Sequence, residues 1–170
     1  RATAAFPSAA EPVALTIETL ARDTRPGQLD RWSRIADLAK VLRQRSAGDP
    51  IAADMAEASM HLNTGRADEA VKLLQPHLPR FQADPATYGA ALLTYVQAQM
   101  RIGQPDKAAE ILWPLAQKGK DWRNAWMQLA MLNPDAQKGV AWLEKVEAII
   151  PKDDTQERTT LSESWAYLGS

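Results

Sequence analysis

Apolar residues along this chain recur at three- and four-residue steps, in stripes separated by short polar or Gly/Pro-containing breaks. Val13, Ile17 and Leu20 form the first stripe behind Pro12, a residue suited to the first position of a helix. Arg25, Pro26 and Gly27 break it, and Leu29, Trp32, Ile35, Ala39 and Leu42 predict a helix from about Gln28 to Arg45. Asp49-Pro50 starts a helix carrying Ile51, Met55, Ala58 and Leu62; Gly65 ends it, and a partner runs from Ala67 towards Phe81. Asp84-Pro85 opens the next, with Tyr88, Leu92, Tyr95, Val96 and Ile102 in register. Gly103 closes it, and Pro105 begins a helix that stops near Gly119. Asp121 is expected to cap a short helix through Leu132 that carries Trp122, Trp126 and Leu129. Asn133-Pro134 then turns the chain into a helix from Asp135 to Ile150. Asp154 and Glu157 have capping-box spacing before a last helix to Leu168. The pattern predicts an all-α chain of about nine helices whose short turns make neighbours antiparallel. Strands are not expected, because Ala, Leu, Gln, Glu, Lys and Arg outweigh β-branched residues.

One stretch occurs twice. Residues 65–76 read GRADEAVKLLQP and residues 103–114 read GQPDKAAEILWP, an offset of 38 positions. Glycine, aspartate, alanine, leucine and proline coincide: Gly65 with Gly103, Asp68 with Asp106, Ala70 with Ala108, Leu74 with Leu112, Pro76 with Pro114. Spaced identity at such a period marks a helical repeat. A degenerate third copy places Gly139 at the small position and Leu143 at the large one, with Pro151 closing it. Trp165, Leu168 and Gly169 form a W-x-x-L-G opening of a fourth.

On these residues the chain resembles the tetratricopeptide (TPR) repeat family, over roughly positions 50–170. The resemblance implies a right-handed α-solenoid of antiparallel helix pairs. Its repeats would fall at about 50–83, 85–119 and 121–151, with the first helix of a fourth at 154–170. His61, Gln99 and Ala130 stand where the family has tyrosine. Residues 12–48 match the repeat poorly and are expected to form a capping hairpin, behind a flexible Ala/Pro/Ser leader over 1–11. The glycine of each copy is expected to leave its helix in a left-handed conformation. Pro76 and Pro114 would ordinarily cost about 3 kcal/mol or more inside a helix. Either they kink the helices in a way the stacking uses, or each helix ends early there.

The family's concave groove, lined by the first helix of each pair, takes extended or helical peptides. Carried onto this chain, it comprises Met55, Ser59 and Leu62 in the first copy, and Leu93, Thr94, Gln97 and Arg101 in the second. Asn124, Gln128 and Met131 supply the third. Gln97 and Gln128 hold one equivalent position, where side-chain amides suit a peptide backbone. Met55, Ser59, Leu93 and Gln97 occupy places where the chaperone-tail binders of the family carry lysine, arginine or asparagine. That clamp is therefore disfavoured.

Composition narrows the partners rather than naming one. The 170 residues are 45% hydrophobic and 24% charged, with a net charge of −1, so no global field gathers nucleic acid or an anionic membrane. Among the groove positions only Arg101 is charged, which argues against RNA. No apolar run approaches the roughly 20 residues of a membrane span. The absence of cysteine excludes disulfides and leaves the compartment open, cytoplasm or periplasm. A start without methionine reads as a fragment of a larger chain. Arg31, Arg34, Lys40, Arg43 and Arg45 crowd one face of the second helix against only Asp30 and Asp37, either a patch for an anionic partner or, more simply, a solvated face.

Signs of catalysis are sparse. His61 and His77 have no second ligand at metal spacing, so no metal or cofactor is expected, and His61 is expected to pack. Carboxylates at helix starts are explained by capping. Trp113, Trp122, Trp126 and Trp142 crowd the junction of the second and third copies. Trp122 and Trp126 fit a core, whereas Trp113 and Trp142 lie one step off the buried stripe, so one of them is a candidate exposed anchor. The expected role is a non-catalytic scaffold, monomer or weak dimer, for a protein or peptide partner. The alternative is an accessory repeat domain of a larger enzyme or envelope-assembly factor.

Overall fold

The structure, a computed structural model, describes residues 16–17, 20, 31–45 and 49–169. Among these residues helices joined by short turns account for the chain, and there is no strand. The helices are α1 (Arg31–Arg45), α2 (Ile51–Asn63), α3 (Ala67–Leu74), α4 (Leu78–Ala83) and α5 (Pro85–Arg101), followed by α6 (Pro105–Ala116), α7 (Lys120–Met131), α8 (Ala136–Glu147) and α9 (Thr155–Leu168). A 3-10 turn, Gln75–His77, joins α3 to α4. With that run counted as one, there are eight helical stretches among the described residues, against about nine expected. The remaining one, expected behind Pro12, falls largely outside the described residues, as do the leader 1–11 and the break at Arg25–Gly27.

The described residues form two compact units, one ending at Ala98 and the other starting at Gln99. In the first, α1 packs on α2 and α2 on α3. Ile17, Ile35, Leu42, Ala53 and Met60 make its core cluster, with Trp32 and Val41 packed against it. In the second, α6 packs on α7, α7 on α8, and α9 covers both α7 and α8.

The two glycine turns share one geometry. Gly65 (φ 77°) and Gly103 (φ 74°) are both left-handed, as expected of them. Around Gly65, the Arg66 N–H donates to His61 O (2.8 Å) and the Gly65 N–H to Leu62 O (3.3 Å). Around Gly103, the Gln104 N–H donates to Gln99 O (2.9 Å) and the Gly103 N–H to Met100 O (3.1 Å). Each is a Schellman motif, which satisfies carbonyls that the helix end would otherwise orphan. Arg66 (φ −106°, ψ 54°) and Gln104 (φ −115°, ψ 55°) then open the partner helices in nearly the same conformation.

The inner positions of the repeat are buried as their spacing demands. Ala70, Ala108, Leu74, Leu112 and Leu143 are all 0% exposed. Gly139 shows why the small position is small: a Cβ there would lie 2.6 Å from the backbone oxygen of Ala130 on α7.

The two prolines part company. At Pro76 the α-helix gives way to the 3-10 turn before resuming as α4, whereas α6 continues through Pro114 to Ala116. Capping differs in detail from expectation. Gly119, not Asp121, is the cap of α7, and Asp121 sits in its first turn. Asp154 does accept the Glu157 N–H (2.9 Å), but the Glu157 side chain turns inward to Arg123 instead of closing a capping box. Tyr88 (φ −105°, ψ 17°) interrupts the helical dihedrals of α5, its ring against Phe81 and beneath the Arg80 guanidinium.

Candidate functional site

The positions carried over from the groove make one stripe on each of three helices, by their three- and four-residue spacing. On α2, Met55 and Ser59 are half-buried, while Leu62 is only 5% exposed and belongs to the core rather than to an accessible face. On α5, Leu93 and Thr94 are half-buried, and Gln97 and Arg101 exposed. The Thr94 hydroxyl donates to Ala90 O (2.8 Å), which leaves only its lone pairs for a ligand. On α7, Asn124 and Met131 are half-buried and Gln128 is exposed. The Asn124 side-chain oxygen is buried without a hydrogen-bond partner. Met55 to Gln97 lie in the first unit and Arg101 to Met131 in the second.

Polar clusters that the sequence did not reveal tie each unit together. Asp54, 8% exposed on α2, accepts a hydrogen bond from Arg43 of α1 and pairs with His77 Nε2 of the 3-10 turn (2.7 Å). Arg43 also reaches Glu57 (2.9 Å), and the two carboxylates hold its guanidinium above the ordinary arginine range. This basic side chain of α1 thus joins two helices, which differs from the solvated role expected of that face. In the second unit Glu157 is 0% exposed and receives both Arg123 Nε (2.5 Å) and Nη2 (2.9 Å). Lys120 reaches Asp154 (3.0 Å), so α9 is fixed to α7 at two charged points. No sequence signal finds these pairs, because their partners lie more than two helical turns apart.

Three of the five tryptophans of the second unit, Trp113, Trp126 and Trp142, form one row. Trp126 is 1% exposed, and its ring lies 4.8 Å from that of Trp113 and 5.4 Å from that of Trp142, centroid to centroid. Its Nε1–H donates to Trp142 O (2.8 Å), satisfying the buried indole. Trp113 and Trp142 are both half-buried, so neither is a fully exposed anchor. They line an open cleft of about 360 Å³ between α6 and α8, with Trp126 as its floor. Lys145 Nζ stands 4.0 Å over the Trp113 ring centre and 5.7 Å from that of Trp126. Sequence reading missed Glu110 and Lys145, although each stands three residues from a tryptophan of the row and therefore on the same helix face.

Among the described residues, no cluster of three or more histidine, aspartate or glutamate side chains is placed to hold a metal ion. None of the described helices is long and apolar enough to cross a membrane. His61 is 9% exposed with its Nδ1 unpartnered, and burial together with Arg66 lowers its pKa. Comparison with protein-family models, with curated proteins and with solved structures found no match.

Proposed function

We propose that this chain is a TPR-like right-handed α-solenoid segment and a non-catalytic scaffold that binds a peptide or protein segment through the first helices of its repeats. The observation that carries the reading is the recurrence of one turn, the same pair of hydrogen bonds about a left-handed glycine at Gly65 and at Gly103. A sequence period repeated in backbone geometry is what a helical repeat requires, and such repeats present successive helices as a binding surface. Gln97 and Gln128 support the location. Each stands eleven residues ahead of the small position of its copy, and both are exposed. An exposed side-chain amide at each of these positions offers a donor and an acceptor to an extended backbone.

The experiment is affinity capture with the full-length protein, followed by competition with this chain. The double substitution Gln97→Ala/Gln128→Ala is expected to keep the helical circular dichroism and weaken the identified partner by about tenfold, two lost hydrogen bonds at roughly 0.5–1.5 kcal/mol each. Unchanged affinity with an intact fold would remove the first-helix face from the account.

A further inference from the structure

We propose that the cleft between α6 and α8 is a cation-binding site, that its ligand is an arginine side chain presented by a protein partner, and that Lys145 is its tethered occupant. Three indoles wall and floor the cleft, and the face of an indole carries negative electrostatic potential. Two carboxylates, Asp106 and Glu110, also line it, against a single lining cation, Lys145. Asp106 is engaged by Lys138 (2.7 Å). Glu110 has no ion-pair partner among the described residues, and Lys145 is the lining cation left to balance it. With Lys145 in place these charges balance; once Lys145 withdraws, Glu110 is left alone and the local charge favours a cation.

The chain itself places a cation there. The Lys145 ammonium has no carboxylate partner among the described residues and sits instead over Trp113 and Trp126. An ammonium in that place without a counter-ion is held by the rings. Lysine is a compact charge on a flexible four-carbon stem, and Lys145 is on an exposed position, so it can withdraw into water when another cation arrives. Trp142 has no cation over its ring among the described residues and lines the same space. A planar guanidinium suits this set better than an ammonium does. It stacks on an indole face while its N–H fork reaches a carboxylate, here Glu110. The cleft lies wholly on α6, α7 and α8 and does not depend on the first-helix reading.

Nα-acetyl-arginine amide is the probe, titrated into the chain while the indole N–H signals are followed by NMR. Nα-acetyl-glutamine amide and Nα-acetyl-glutamate amide serve as neutral and anionic counterparts. The arginine probe alone is expected to shift the Trp113 and Trp142 signals saturably. Lys145→Met, which removes the tethered competitor, should tighten it by about tenfold, and Glu110→Gln should weaken it by about fivefold. Lys145→Arg restores a cation over Trp113 and should bring the affinity down to that of the parent or below it, which separates competition from repacking. Equal binding of the glutamine probe would overturn the site, as would a lack of saturable shift in both the parent and Lys145→Met. Preference for the glutamate probe, lost in Lys145→Met, would make Lys145 an anion receptor and overturn it as well.

Discussion

His61 is a buried residue whose protonation bears on stability. Burial, and then the positive charge of Arg66, lower its pKa from the ordinary 6.5. The unfolded chain accordingly takes up a proton near pH 6.5 that the folded chain refuses until lower pH. Stability is full above pH 6.5 and declines as pH falls below it, through the folded-state value. Urea denaturation at pH 7.5 and pH 5.5 should show this loss in the parent. His61→Gln, which has no proton to take up, should show a smaller loss over the same window. An identical decline in both would assign the pH dependence to other groups. The sequence placed this histidine where the resembled family has tyrosine, and that much was readable from register alone. Its unpartnered Nδ1 was not, because orphaning depends on neighbours from other turns of the chain.

Element by element, the sequence was most readable where a residue type has no substitute. A left-handed helix exit favours glycine, so Gly65 and Gly103 announced both the turn and its conformation. A Cβ at either position meets nothing within 4 Å, so Gly65→Ala and Gly103→Ala test backbone strain free of clash. Each is expected to cost about 1–2 kcal/mol in denaturant melts. A neutral result would mean that the turn readily adopts another conformation. Proline was less informative, because its missing N–H fits a helix interrupted at Pro76 and one that persists past Pro114. Local sequence does not decide between those outcomes. The spacing of Asp154 and Glu157 gave the cap of α9 but not the fate of the Glu157 carboxylate, which a distant arginine claims. Because Glu157 is 0% exposed, Arg123→Met strands its charge and should destabilise by about 3–5 kcal/mol. Combining it with Glu157→Leu should recover most of that loss in the same melts. Failure to recover would show that the pair does more than neutralise itself.

At the scale of the whole molecule, the helical class and the inner register were legible, because both rest on period and size. Ala70, Ala108 and Gly139 recur as the small residue, and the leucine four positions on is buried each time. The binding stripe was legible only as a set of positions. Leu62, assigned to it by the family resemblance, is in the core, where its place on the apolar stripe of α2 puts it. The tryptophan row was visible as a crowd of residues on three helices, whereas its cleft and the lysine within it depend on how those helices meet. The central claim is that one register of helix pairs organises the chain, and equilibrium urea denaturation of Ala70→Leu, Ala108→Leu and Gly139→Ala tests it most directly. Ala52→Leu and Ala141→Leu, at exposed positions, are the controls. Loss of roughly 1–3 kcal/mol at each of the three small positions, with the controls within about 0.5 kcal/mol of the parent, is the result the account predicts. Three inner variants as stable as the controls would contradict it.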